Sequence, residues 1–127
     1  MTDILVVEDN PVNRRLVETI LLQAGFAVEL AEHGEQALSM LAEGDFRIVL
    51  MDLSMPVMDG YQAIAAIRQD PRWAGLPVVA VTVDTSEGIM QRVRDAGFSD
   101  YLGKPYTRED LVESVRFHLG EEMDDDY

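Results

Sequence analysis

The chain has 127 residues, 47% hydrophobic and 27% charged, the size and balance of one domain able to bury a core. Its 24 acidic against 10 basic residues leave a net charge of −14, which argues against non-specific nucleic-acid binding, since that needs Lys and Arg to displace counterions. There is no cysteine for a disulfide or thiolate metal site, no apolar stretch near the ~20 residues of a membrane span, and no basic-then-apolar leader, a pattern that fits the cytoplasm.

Strand-like apolar runs alternate with helical patterns along the chain. Residues 4–7 read as a strand that ends at Glu8-Asp9. Asn10 or Pro11 then opens a helix to about Gln23, with Pro in its first turn, Gly25 past its end, and Leu16, Ile20 and Leu21 on its inward face. Residues 27–31 form a second strand and Gly34–Glu43 a second helix, with Ala37, Leu38 and Leu41 apolar and Gly44 as the stop.

In the run Arg47-Ile48-Val49-Leu50-Met51-Asp52, four apolar residues lead to a single carboxylate, which predicts a buried strand followed by a loop over 53–60. Asp59 is the expected N-cap of a helix through Arg68, with Ile64 and Ile67 inward and Asp70-Pro71 breaking it. Trp73, in the next turn, is expected to pack on the domain edge. Residues 77–82 are a fourth strand, 86–96 a helix ending at Gly97, and 100–103 a short fifth strand before Lys104-Pro105. A last helix over 108–118 is capped by Thr107, with Leu111, Val112, Val115 and Leu119 apolar. The domain is placed at 1–120. Glu121, Glu122, Asp124, Asp125 and Asp126 make 121–127 an acidic tail expected to be solvated and disordered.

Such alternation implies right-handed βαβ crossovers and a parallel sheet covered on both faces, a three-layer α/β domain. Parallel strands bring their carboxyl ends to one edge, where ligands bind in open α/β sheets. Glu8 and Asp9 end the first strand, Asp52 the third and Thr82 the fourth, and Lys104 follows the fifth. Three close carboxylates repel one another unless a cation joins them, and a hard divalent ion such as Mg²⁺ suits oxygen ligands. A carboxylate is also a nucleophile for phosphoryl transfer, and Lys104 and the Thr82 hydroxyl would neutralise the transferred oxygens. Singly, each of these is an ordinary loop or strand residue; together at four strand ends they mark a site. His33 and His118 lack ligand spacing and read as ordinary surface residues, and the scattered Met suits core filling, with Met55 and Met58 flanking the loop after Asp52.

From Asp3 to about Leu119 the chain resembles the receiver domain of two-component response regulators. The segments that carry the resemblance are residues 4–10 with Glu8-Asp9-Asn10, residues 51–60 from Met51-Asp52 to Asp59-Gly60, Thr82, and Leu102-Gly103-Lys104-Pro105. The resemblance implies a flavodoxin-like fold with strand order 2-1-3-4-5. It implies Asp52 as phosphoacceptor and Asp9 as a direct Mg²⁺ ligand, with Glu8 acting through water and the Ser54 backbone carbonyl as a third protein ligand. Thr82 and Lys104 match the phosphoryl-sensing pair, Tyr101 the switch aromatic, and Lys104-Pro105 a peptide bond often cis in the family.

Two positions depart from the pattern. Val83 stands where a very small residue is usual, and would narrow access to Asp52 or restrict the turn of Tyr101. Asp84 adds an acid at the site mouth, to repel phosphodonors or to orient a hydrolytic water.

The expected function is a switch rather than an enzyme. A sensor histidine kinase or histidine phosphotransfer protein donates to Asp52, and the face of the fourth helix, fifth strand and fifth helix then engages a downstream protein. With no output domain after residue 127, the chain reads as a single-domain regulator; the alternative is the receiver piece of a hybrid histidine kinase or multidomain regulator. Neither nucleic acid nor membrane is an expected partner, and no feature sets an oligomeric state. Two other classes fit less well. An aspartate-nucleophile phosphatase wants a second Asp where Ser54 stands, and a flavin module wants a Gly- and hydroxyl-rich loop where Glu8-Asp9 would repel a phosphate.

Overall fold

Apolar side chains on both faces of every central strand dictate the layering. The computed structural model describes residues 2–53 and 59–120. Its strands are β1 (Thr2–Val7), β2 (Val28–Ala31), β3 (Phe46–Asp52), β4 (Val78–Thr82) and β5 (Asp100–Gly103). They alternate with helices α1 (Pro11–Gln23), α2 (Gly34–Glu43), α3 (Gly60–Gln69), α4 (Ile89–Ala96) and α5 (Arg108–His118), and a 3₁₀ turn (Pro71–Trp73) follows α3. All pairings are parallel and the order is β2-β1-β3-β4-β5, as the resemblance implied.

Period-two alternation sends Leu5, Val7, Val49 and Met51 to one face, where they pack with Leu41, Ile64, Ile67 and Val93 of α2, α3 and α4. Ile4, Val6, Ile48 and Leu50 go to the other, against Val17 and Leu21 of α1 and Leu111 and Val115 of α5. Reciprocal capping boxes start two helices: Asp59 with Gln62 on α3, and Thr107 with Asp110 on α5. Arg68 ties α3 to its neighbours by donating to the carbonyls of Gly97, Trp73 and Leu76 at 2.7–2.8 Å.

Some expectations are corrected, while the packing of Trp73 and the cis Lys104-Pro105 peptide are as expected. Leu21 is buried and Ile20 packs partly buried on the core as expected, but Leu16 is 55% exposed and Val17 takes the inward position in its place. α4 begins at Ile89 rather than 86, because Gly88 holds a left-handed φ of 87° that ends the loop and cannot continue as helix. The histidines are structural. His33 Nδ1 accepts the Gln36 N–H at 3.2 Å as the N-cap of α2, and His118 Nε2 lies 3.1 Å from Asp100 Oδ2, its side chain largely buried. Trp73 packs half-buried against the α2–α3 side of the core, with the Arg72 guanidinium 4.8 Å from its ring centroid. The Lys104-Pro105 peptide is cis. Among the described residues no helix is long and apolar enough to cross a membrane. Ser54, Met55, Met58 and the acidic tail lie outside the described residues.

Candidate functional site

The register aligns the strand ends. Val7 lies opposite Met51, Asp52 opposite Val81, and Thr82 opposite Gly103, so the residues ending β1, β3 and β4 meet Lys104 at one edge. One carboxylate oxygen from each of Glu8, Asp9 and Asp52 lies within 4.8 Å of the others. Glu8 and Asp52 are 5% and 7% exposed, whereas Asp9 faces solvent.

Local chemistry holds each group. The turn from β1 to α1 is fixed by Asn10, whose side chain accepts the N–H groups of Val12 and Asn13 as the N-cap of α1. The Asn10 N–H donates to Glu8 Oε2 at 3.1 Å, and Arg14 Nη1 donates to the carbonyls of Glu8 (2.9 Å) and Asp9 (3.4 Å). Lys104 Nζ reaches Glu8 Oε1 at 3.2 Å and Asp52 Oδ2 at 3.7 Å, while its backbone N–H donates to Thr82 O at 2.7 Å. Burial pushes the Glu8 carboxyl above its usual range; the Asp52 charge adds to this, and the Asn10 N–H and Lys104 hold it back.

Thr82 is buried, and its hydroxyl oxygen accepts the Asp84 N–H at 3.0 Å. The Asp84 carboxylate is engaged elsewhere. Oδ1 accepts from the Ser86 backbone (2.9 Å) and hydroxyl (2.6 Å), and Oδ2 lies 3.1 Å from Arg92 Nη2 on α4. These bonds, those of Ser86 first, hold its carboxyl below the ordinary range. Tyr101 is half-buried on β5; a Cβ built at Gly103 would lie 3.3 Å from the Thr85 side chain and 3.7 Å from the Tyr101 ring, which places that ring near the loop after β4. Val83 is 74% exposed and lines a groove of about 390 Å³ with Leu16, Lys104, Pro105 and Tyr106.

Sequence reasoning missed Tyr106 and Arg14. Tyr106 lines a small internal space with Glu8 and Asp52, and burial, with the charges of those two acids, raises its hydroxyl to about 12. An aromatic directly after Lys104-Pro105 was the available signal. Arg14 left none, because it contacts carbonyls six and five residues back.

The donor set fits a hard divalent cation. Glu8, Asp9 and Asp52 set against Lys104 leave two negative charges in excess, the charge of one such ion. Beside it stand a buried carboxylate, a hydroxyl and an ammonium, chemically able to accept a phosphoryl group and to neutralise its oxygens.

Comparison with known proteins agrees. The response regulator receiver domain family matches residues 4–116. The chain is 39% identical over 108 residues to the signal transduction histidine-protein kinase BarA of Escherichia coli, covering 85% of this chain and 12% of BarA. It is 36% identical over 114 residues to a 14.6 kDa protein of the sodA1 3′ region of Leptolyngbya boryana, covering 90% of this chain and 87% of that one. The fold is similar to the receiver domain of sensor histidine kinase PA1611 from Pseudomonas aeruginosa, solved with a magnesium ion in its active-site cleft (TM-score 0.86, 35% identity, 94% and 98% of the two chains). It is similar too to the chemotaxis response regulator CheY4 of Vibrio cholerae (TM-score 0.87, 30% identity, 93% and 98%). The chain thus spans a small part of the kinase it matches and nearly all of the compact relatives. By sequence, fold and the acid cluster at its sheet edge, it belongs to the response regulator receiver domain family of two-component signalling.

Proposed function

We propose that Asp52 accepts a phosphoryl group from a phosphohistidine of a sensor kinase or phosphotransfer protein, and that the domain thereby switches its binding of a downstream protein. The observation that carries this reading is the convergence of Glu8, Asp9 and Asp52 within 4.8 Å beside Lys104. An Asp52 oxygen forms the bond to phosphorus as the phosphorus–nitrogen bond breaks, and the electron pair stays on the donor imidazole. Mg²⁺, when bound by Asp9, Asp52 and the Ser54 carbonyl with Glu8 behind a water, would neutralise the carboxylates and the phosphoryl oxygens.

Lys104 shifts from Glu8 toward the new dianion. Thr82, its oxygen already accepting from Asp84 N–H, turns its own hydrogen to a phosphoryl oxygen. The loop after β4 follows, Tyr101 turns inward, and the face of α4, β5 and α5 changes shape; phosphorylation biases two pre-existing states. The donor approaches along the apolar groove of Leu16, Val83, Pro105 and Tyr106, which runs beside Lys104. A receiver segment of a hybrid kinase is the second reading, favoured by the match to BarA.

Incubation with acetyl phosphate and Mg²⁺ tests the assignment. One hydroxylamine-labile phosphoryl group is expected on the native chain and none on Asp52→Asn. A variant that still incorporates one would refute the acceptor role. Asp9→Ala is expected to lose Mg²⁺ binding by calorimetric titration, and an unchanged isotherm would remove Asp9 from the ligand set.

A further inference from the structure

A second groove, of about 390 Å³, runs between β5 and α5. Tyr101 and Leu102 wall it on the strand side, and Asp110, Glu113 and Phe117 on the helix side, with Asp100 at one end. Positions 110, 113 and 117 fall at helical spacing on one face of α5. Phe117 is 70% exposed, among the most exposed large apolar residues described. Its ring stands edge-on to His118 at 5.0 Å, and His118 is in turn held by Asp100.

The charge of this face is one-sided. No lysine or arginine lines the groove. The cations of α5 are turned elsewhere: Arg108 bonds Gln23 of α1, and Arg116 lies over the Phe26 ring. Asp100 is matched by His118 and Asp110 is used in the cap of α5, but Glu113 has no hydrogen bond or ion pair among the described residues. An exposed aromatic beside an unanswered carboxylate is a surface complementary to an apolar residue flanked by cations.

We infer that this groove receives an amphipathic, lysine- and arginine-bearing segment of a partner protein, with an apolar side chain against Phe117 and cations at Glu113 and Asp110. A second copy of the chain fits poorly. A two-fold pairing would set Glu113 and Asp110 against the same acids, in a protein of net charge −14. Anionic nucleic acid or lipid is repelled for the same reason. Tyr101 forms part of the wall, so a turn of that ring reshapes the groove; this coupling rests on the switch reading above.

The test uses the full chain, ¹⁵N-labelled, titrated with a short amphipathic Leu/Lys helical peptide and with its Leu/Glu counterpart, with and without beryllofluoride and Mg²⁺. The Leu/Lys peptide is expected to shift the amides of Tyr101, Leu102, Glu113 and Phe117 saturably, and the Leu/Glu peptide to leave them unmoved. Glu113→Lys and Phe117→Ala, both at exposed positions, are each expected to weaken binding about tenfold. Shifts confined to residues outside the groove, or variants that bind like the native chain, would overturn the inference. Equal affinity with and without beryllofluoride would keep the groove as a docking site and overturn its coupling to Asp52, so the two readings fail separately.

Discussion

Lys104 Nζ stands 3.2 Å from Glu8 Oε1, closer than its 3.7 Å approach to Asp52 Oδ2. The ammonium is held mainly by the acid that ends β1, and it spans the sheet edge from β5 across to β1. It therefore braces the sheet edge, in addition to the role toward a phosphoryl group proposed for it above.

Lys104→Met removes that brace. Glu8 keeps the Asn10 N–H but loses its cation while staying 5% exposed beside two other acids. Losing one partner of a nearly buried charge pair outweighs the small gain from burying a methionine, so a loss of roughly 1–3 kcal/mol is expected in metal-free protein. Mg²⁺ affinity should rise, because no ammonium competes for the carboxylates. Urea denaturation in EDTA and a Mg²⁺ titration check both parts. Unchanged stability would mean that the pair is too well solvated to matter.

Gly60 sits where the chain has no room. A Cβ built there lies 2.7 Å from Asp52 O, 2.8 Å from Leu53 Cα and 2.9 Å from Leu53 Cδ2. Two of these neighbours are backbone atoms of the strand end that carries Asp52, and they cannot rotate away. Alanine at the start of α3 gains at most about 1 kcal/mol of helix propensity, whereas overpacking against fixed atoms costs about 1–3 kcal/mol or more. The clash wins. Gly60→Ala is expected to be destabilised by about 2 kcal/mol in urea and to phosphorylate more slowly with acetyl phosphate, because Asp52 is pushed from its neighbours. A variant of native stability and rate would show that the loop after Asp52 yields freely.

Elements bounded by residues with one backbone meaning were legible in the sequence: Asp59 and Thr107 as N-caps, Asp70-Pro71 as a stop, and Asp100–Gly103 as a strand ahead of Lys104-Pro105. The edge cluster was legible because parallel strands have no choice but to bring their ends together. Leu16 was not. Leu16 and Val17 are adjacent apolar residues, each at helical spacing from Ile20 or Leu21, and only packing against β1 and α5 selects Val17. The start of α4 was hidden because residues 83–88 are organised by Asp84, Ser86 and Arg92, a network that exists only once the loop has turned. The same network gives Asp84 partners on α4 that no linear reading of an acid at the mouth could supply.

Val83 has little to lose in the fold. At 74% exposure its truncation should change stability by less than about 0.5 kcal/mol. Its neighbours in the groove are Leu16, Lys104, Pro105 and Tyr106, the surface proposed above for the approach of a protein donor. Val83→Ala is expected to slow transfer from a phosphohistidine protein several-fold while leaving the acetyl phosphate rate unchanged. Decay of the phosphorylated protein, followed in parallel, separates this from a role in access or in the turn of Tyr101. A changed acetyl phosphate rate or lifetime, with unchanged transfer from the protein donor, would assign Val83 to those roles instead.

Glu8 makes the stability of the metal-free domain depend on pH in an unusual direction. Burial, aided by the Asp52 charge, raises its carboxyl above the ordinary 4.5. The native chain then holds this proton more tightly than the unfolded chain does, so the contribution of Glu8 to stability falls as pH rises from 4.5 through the raised value. Above that window the full cost of a buried, ionised Glu8 is present; below 4.5 both states are protonated and the cost is gone. Glu8→Gln keeps the shape and removes the charge; its single amide oxygen can accept from Asn10 N–H or from Lys104, where the carboxylate serves one with each oxygen. In EDTA at neutral pH it should therefore be more stable than the native chain, with the advantage closing as pH falls toward 4.5. Saturating Mg²⁺ should reverse the order, because a ligand that binds the folded native chain better stabilises it more. Thermal melts of both proteins across this range, with EDTA and with Mg²⁺, decide the matter. A stability gap in EDTA that does not change with pH would show that desolvation of Glu8 is not what sets its titration.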